Sequence, residues 1–183
     1  MFISIDVGIK NLAYIIYDGK NIIDWNVVEL CDKKTNAGKV NMVEIGINLH
    51  KALETLPSNI ETIIIENQIG QNAIRMKSIQ GMISFYFISK GKTNIIYWNP
   101  INKLKKYNKM KRTYTQRKKD SVIITKLLIS EHFRDREQYF NSNKKKDDLA
   151  DCFLQLIDYL DKDKKLDEHF FDHSIILYEN IQK

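Results

Sequence analysis

Short apolar runs and polar breaks alternate from the first residue onward. Phe2 to Val7 is apolar and β-rich, Gly8 to Asn11 is a break, Leu12 to Asp18 is a second run, Gly19-Lys20 breaks again, and Asn21 to Leu30 is a third. Such runs bounded by Gly, Asn and Asp predict strands, and two tight connections in succession predict an antiparallel meander. Cys31 to Val40 is polar and predicts a loop. Asn41, followed three residues later by Glu44, then has the pattern of a capping box, opening a helix to Leu56. Its buried stripe is Ile45, Leu49, Ala52, Leu53 and Leu56, and Pro57 lies just past its end.

The period changes again at Thr62 to Ile65, a β-branched run ending in Glu66 that predicts a central parallel strand. Asn72 to Ser89 predicts a long helix with Gly91 behind it, and Asn94 to Trp98 a strand stopped by Pro100. Asn102 to Lys119 holds nine Lys or Arg, no acid, and Tyr107 and Tyr114. Asp120 to Phe133 returns to a helical pattern. A polar link leads to another helix near Asp147, whose apolar face is Leu149, Ala150, Phe153, Leu154, Leu156, Ile157 and Leu160. The charged tail from Asp161 carries a late apolar patch, Ile175 to Tyr178, suited to a final docked helix. The order β-β-β-α-β-α-β-α-α predicts an α/β fold with a sheet of mixed direction. With 183 residues, 43% of them hydrophobic, one domain over 1–183 is expected.

Charge narrows the choice of partner. The formal net charge is +6, a bias toward polyanions that puts nucleic acid first. Cys31 and Cys152 lie far apart without metal-ligand spacing, which excludes a zinc ribbon or disulfide framework. No apolar stretch is long enough to span a bilayer, and Met1 leads directly into a core strand, so neither a membrane nor a targeting leader is expected.

Ligands of open α/β sheets gather at the carboxyl ends of the strands. Asp6 lies near the end of the first strand and Glu66 terminates the fourth. Asp147, Asp148 and Asp151 share one face of the late helix, because residues three and four apart are neighbours there. Like charges on one turn repel, and a divalent cation removes the repulsion. Asp6, Glu66, Asp148 and Asp151 together form a hard oxygen set suited to Mg²⁺ or Mn²⁺. Two such ions activate water for in-line attack on phosphorus and stabilise the leaving oxygen. Any one of these acids alone is more often a solvated or capping residue; their joint order along the chain carries the metal reading.

Asp6-Val7-Gly8-Ile9-Lys10-Asn11-Leu12-Ala13, Ile65-Glu66-Asn67-Gln68 with Arg75-Met76 downstream, and Lys145-Lys146-Asp147-Asp148-Leu149-Ala150-Asp151 closely resemble the Holliday junction resolvases of poxviruses and fungal mitochondria, in the RuvC-like branch of the ribonuclease H-like fold. The resemblance runs from Met1 to about Tyr159. It implies a five-stranded mixed sheet flanked by helices, and a homodimeric endonuclease that nicks four-way DNA junctions symmetrically with two Mg²⁺ per active site. By position it implies Asp6, Glu66, Asp148 and Asp151 as metal-binding acids, with Asp147 as a supporting acid or helix cap. It also implies a catalytic lysine entering the preceding helix: Lys119 fits that place, with Lys118 close behind.

The basic stretch offers phosphate contacts through Lys103, Lys105, Lys106, Lys109, Lys111, Arg112, Arg117 and Lys118, with Lys10, Gln68 and Arg75 as further DNA contacts nearer the acids. An arbitrary charge run is as readily a solvated loop; the absence of acids and the two tyrosines favour binding. Gly8 suits a tight turn beside a phosphate. His169 and His173 have metal-pair spacing but lack the glutamate of a zinc protease helix, and are expected to be surface or capping residues. Trp25 and Trp98 are expected in core or interface, and Ile79 to Phe87 at a dimer interface, with buried core as a nearly equal alternative.

Two other classes fit parts of the pattern. Another ribonuclease H-like nuclease, acting on flaps or RNA/DNA hybrids, would share the acids. An actin-like nucleotide-binding domain would share the Asp6 loop but needs a duplicated subdomain, for which 183 residues leave no room. A junction-binding protein without activity would not need the acids. Lys, Asn and Ile richness suggests a low-GC genome, and with no leader the expected location is cytoplasmic, at sites of viral DNA replication, rather than mitochondrial.

Overall fold

The structure is a computed structural model that describes residues 1–32, 34–70, 73–107 and 112–182. It comprises two compact units, Met1–Asn99 and Pro100–Lys183.

The first unit is built on β1 (Phe2–Val7), the middle of a five-stranded sheet with order β3-β2-β1-β4-β5. β2 (Asn11–Tyr17) and β3 (Ile22–Glu29) form the meander the sequence predicts, antiparallel throughout. β4 (Thr62–Glu66) lies parallel to β1, and β5 (Ile95–Trp98) parallel to β4. A central strand paired on both edges reads as a near-continuous apolar run, which is the character of F-I-S-I-D-V and T-I-I-I-E.

Helices α1 (Met42–Glu54) and α2 (Ile74–Ser89) pack on one face of this sheet. Side chains alternate along a strand, so Ile3, Ile5 and Val7 share a face with Ile63 and Ile65. They bury against Ile45, Leu49 and Leu53 of α1 and Ile79, Ile83 and Phe87 of α2. The Asn41 side chain accepts a hydrogen bond from the Val43 N–H at 2.9 Å, capping α1 where the sequence places its start. Along α2 the side chains of Ile79, Ile83 and Phe87 belong to the core, which was one of the two readings the sequence left open for this stretch. The apolar surface of this layer is instead Phe85 (71% exposed) and Ile88 with Val43 (70%) and Ile47 on α1.

In the second unit α3 (Tyr114–His132), α4 (Glu137–Ser142), α5 (Lys146–Lys162) and α6 (Asp172–Ile181) are all helical. α3 starts at Tyr114, not at Asp120, because Thr113 and Gln116 form a reciprocal capping box: the Gln116 N–H donates to Thr113 Oγ1 (3.3 Å) and the Thr113 N–H to Gln116 Oε1 (2.9 Å). The first turns of α3 carry no apolar stripe, so periodicity alone misses them. α5 is buried nearly all round, from Leu149 to Leu160, and Phe153 meets Phe133 edge-on at 5.8 Å. α6 docks through buried Ser174 and Tyr178, as its apolar patch predicts.

Gly8 closes the β1–β2 turn, its N–H donating to Asn11 O at 3.1 Å, and a Cβ there would meet that same oxygen at 2.7 Å. The contact is with backbone, which cannot swing away. Gly8→Ala is therefore expected to destabilise the fold by about 1–3 kcal/mol, measured as a lower denaturant midpoint with an unchanged m-value.

Candidate active site

The in-register pairing of β1 with β4 ends at Ile5 opposite Ile65. Asp6 and Glu66 therefore follow at the same level on neighbouring parallel strands. Both lie on the sheet face opposite the α1–α2 core, since Ile5 and Ile65 point into that core. Glu66 is oriented from behind: its Oε2 accepts from Gln68 Nε2 at 2.9 Å, and the Gln68 N–H donates to Gln80 Oε1 at 2.9 Å. Gln68 is buried, and its side chain is engaged by Glu66. Gln80, a polar residue on the buried side of α2, was the available signal for this contact. Arg75 is also committed internally, donating to Gly38 O (2.9 Å) and to Val40 O, which ties the 37–40 turn to α2. Lys10 is half-buried in the β1–β2 turn, and its carbonyl accepts from the Leu30 N–H.

In the second unit Asp147 and Asp148 occupy the first turn of α5 and Asp151 the next. Acids are favoured there by the helix dipole. Asp147 lies inside the helix behind Lys145 at the cap position, so it is not the cap. Its Oδ2 accepts from Lys118 Nζ on α3 at 2.7 Å. Burial favours the neutral acid at Asp147, but the Lys118 hydrogen bond and charge outweigh it and hold the carboxyl below its usual range. Burial likewise opposes the Lys118 charge, and Asp147 outweighs that too, keeping the ammonium above its usual range. Asp148 goes the other way: burial, then the neighbouring Asp147 charge, push its carboxyl up, against the pull of Lys145 at 3.6 Å and of Lys118. Asp151 pairs with Lys103 at 3.2 Å, and the Lys103 side chain is only 7% exposed.

The lysines thus divide by environment. Lys118 touches the acidic turn, whereas Lys119 is exposed. Lys103 is buried against Asp151, and Lys106 pairs with Asp161 at 2.8 Å while lying 4.2 Å from the centre of the Phe171 ring. Arg112 pairs with buried Asp120 at 3.5 Å. Lys105 and Arg117 are exposed; Lys109 and Lys111 lie outside the described residues. His169 and His173 are exposed and lie against acids, His169 on Asp172 (2.9 Å) and His173 on Glu131 (3.5 Å), as surface histidines do. Trp25 is core.

Among the described residues no three of His, Cys, Asp and Glu are gathered closely enough to enclose a metal ion. The acids instead come as a pair in the first unit and a turn of three in the second. Their chemistry suits a hard divalent cation, since all are carboxylates.

The fold is shared with solved Holliday junction resolvases. It matches a crystal structure of the fowlpox virus Holliday junction resolvase with a TM-score of 0.64 at 22% identity, covering 88% of this chain and 97% of that one. It also matches Thermus thermophilus RuvC in complex with a Holliday junction substrate, with a TM-score of 0.53 at 16% identity over 88% of this chain and 95% of that one. Residues 1–164 match the family described as Poxvirus A22 protein, and the chain belongs to that family. An uncharacterised protein of Acanthamoeba polyphaga mimivirus is 32% identical over 154 residues, 70% of this chain; the chain spans 37% of that protein's length. The Holliday junction resolvase of fowlpox virus (strain NVSL) is 29% identical over 161 residues, 86% of this chain and 90% of that protein. No described helix is long and apolar enough to cross a membrane.

Lys118→Met is expected to leave burial unopposed at Asp147 and raise its carboxyl pKa, read by side-chain carboxyl NMR titration. A carboxyl depressed in the folded state contributes stability above its unfolded pKa and loses it as pH falls through the folded value. The variant therefore loses stability at neutral pH, and the difference from the parent protein narrows toward acid.

Proposed function

We propose that the chain is a Holliday junction resolvase, a structure-selective endodeoxyribonuclease that nicks four-way DNA junctions symmetrically while recombination and replication intermediates are processed. The observation that carries this reading is the likeness to the fowlpox virus Holliday junction resolvase along nearly the full length of both chains. The paired strand-end acids Asp6 and Glu66 and the acidic first turn of α5 are its chemical counterpart. The two units together make up one nuclease domain.

RuvC-like resolvases are metal-dependent nucleases. In this chain Asp6, Glu66, Asp148 and Asp151 are the proposed ligands for two Mg²⁺ per active site, with Mn²⁺ able to substitute. Bound there, the ions supply a water of lowered pKa and charge stabilisation at phosphorus. The protein's own groups supply the rest. Gln68 fixes the Glu66 carboxylate, and the buried flank of α5 fixes the acidic turn. Lys118, rather than Lys119, is the proposed catalytic lysine, because its ammonium already lies on the acidic turn and stays charged across the physiological range. Such a cation stabilises charge developing on the transferring phosphate. Asp147 holds Lys118 in place.

Exposed Lys105, Arg117 and Lys119 are the proposed phosphate contacts for the junction arms. Exposed Phe85, Ile88, Val43 and Ile47 form the apolar surface proposed for the homodimer, which would pair two active sites on one junction. The poxvirus and mimivirus relatives support work at cytoplasmic sites of viral DNA replication.

The deciding experiment is an Mg²⁺-dependent cleavage assay on a four-way junction beside duplex, flap and RNA/DNA hybrid substrates. Symmetric nicks confined to the junction support the reading, and preferential cutting of hybrids or flaps moves the chain to another ribonuclease H-like activity. Asp148→Asn and Asp151→Asn are each expected to cut the rate by about 10²-fold or more, in keeping with the loss of transition-state charge stabilisation. Junction binding in EDTA is expected to stay within a few-fold of the parent. Full cleavage by either variant would remove that acid from the ligand set. Lys105→Gln with Arg117→Gln is expected to weaken binding on all sequences alike and to reduce the slope of log K against log salt by roughly one for each phosphate no longer neutralised.

A further inference from the structure

Glu66 ends β4, and the two residues after it are held by different neighbours. The N–H groups of a strand paired on both edges alternate between its two partners. The Ile63 N–H donates to Asn94 O and the Asn67 N–H to Trp98 O (2.8 Å), both toward the β5 side, whereas the Thr62 N–H donates to Met1 O on the β1 side. By that alternation the Gln68 N–H is due on the β1 side, where the β1–β4 pairing has already ended at Ile5 opposite Ile65. A side chain takes the place of the strand carbonyl: Gln80 Oε1, on α2, accepts from this N–H at 2.9 Å. Gln68 then turns its own amide back and donates from Nε2 to Glu66 Oε2 at 2.9 Å. Neither amide can be reversed, because a backbone N–H requires the oxygen of Gln80 and a carboxylate requires the nitrogen of Gln68.

An amide inside an apolar layer is unfavourable unless it is bonded. Gln80 is 8% exposed and Ser84, one turn on, 7%. Both lie beside the core stripe of Ile79, Ile83 and Phe87, where an apolar side chain would pack as well. The Ser84 hydroxyl bonds the Gln80 carbonyl (2.9 Å) and the Tyr97 hydroxyl (2.8 Å), which ties α2 to β5. The Gln80 oxygen reaches instead to the turn that follows Glu66. Because α2 packs on the sheet face opposite Glu66, its hold on that carboxylate passes through Gln68 at the end of β4.

We propose that Gln80 is a positioning residue for Glu66, acting through Gln68 to keep the carboxylate in the orientation that grips a divalent cation. Outer partners of metal-binding groups set affinity by about ten- to a hundredfold. The role rests on the reading of the chain as a metal-dependent nuclease with Glu66 among the ligands. It gives α2 a part in the active site that its apolar stripe conceals.

The test uses the full chain carrying Gln80→Met, which keeps the length of the side chain and removes the acceptor. Mn²⁺ binding to the DNA-free protein is followed by EPR. Expected are an Mn²⁺ dissociation constant raised about tenfold or more, faster hydrogen exchange at the Gln68 amide, a junction Kd in EDTA within a few-fold of the parent, and a cleavage rate that recovers at saturating Mn²⁺. Ser84→Ala, which removes the bond to Tyr97 from the same helix, is expected to keep the parent's Mn²⁺ affinity. Gln68→Met is expected to weaken Mn²⁺ binding by itself, and Gln80→Met added to it should weaken it no further, since the two act in series. Should Gln80→Met not fold, Gln80→Asn, which withdraws the amide by one methylene, takes its place with the same expected shift. Parental Mn²⁺ affinity in the Gln80 variant would overturn the role. An equal loss in Ser84→Ala, or additive losses in the double variant, would overturn it too, reducing Gln80 to a prop for α2. If the parent protein binds no Mn²⁺ and cuts no junction, the nuclease reading fails and the role falls with it. A parent that does both beside an unaffected Gln80→Met leaves that reading standing and removes Gln80 alone.

Discussion

Parallel pairing between β1 and β4 is the constraint on which the first unit depends. A parallel ladder cannot be closed by a hairpin; it needs a crossover, and the chain provides one in α1. The crossover buries one face of the sheet, and that burial fixes the register, because a slip by one residue would turn Ile3, Ile5, Ile63 and Ile65 out of the core. The same register sets Asp6 level with Glu66. The position of two acids is therefore enforced by four isoleucines that take no part in any chemistry.

A comparable economy governs the second unit. α5 is apolar on almost every side, so its rotation and depth are settled by packing, and the acidic first turn is carried along. Three aspartates on adjacent turns would weaken the helix, yet each has a lysine near it: Lys118 on Asp147, Lys145 on Asp148 and Lys103 on Asp151. The compensation is uneven. Asp147 is held ionised whereas Asp148 is pushed toward its neutral form, so two chemically identical neighbours are set apart by environment alone.

Much of this was legible in the residues. The meander, the crossover helix capped by Asn41, the strand ending in Glu66 and the apolar body of α5 all follow from periods of two and of about 3.6 with ordinary stop signals. What escaped was whatever depends on long-range partners. α3 begins in a polar stretch whose helix signal is a capping box and not a stripe. The α2 stripe exceeded what one helix usually buries, but Ile79, Ile83 and Phe87 all found room in the core, and the exposed apolar residues lie on another face. The intramolecular partners of Gln68 and Arg75, Glu66 and the backbone of the 37–40 turn, lie far along the chain or out of reach of any periodicity.

The basic segment shows most clearly why counting charges misleads. Sequence gives its lysines and arginines one character, but the fold sorts them by solvent access. A Lys103 ammonium at 7% exposure on Asp151 is poorly screened by salt and poorly placed to meet phosphate, whereas Lys105 in open solvent is both screened and available. Arg112 is half-buried and engaged by Asp120 and Gln182, while Lys106 is exposed but already paired with Asp161 and the Phe171 ring. Among the described residues, the electrostatic surface offered to a polyanion is accordingly smaller than the composition suggests.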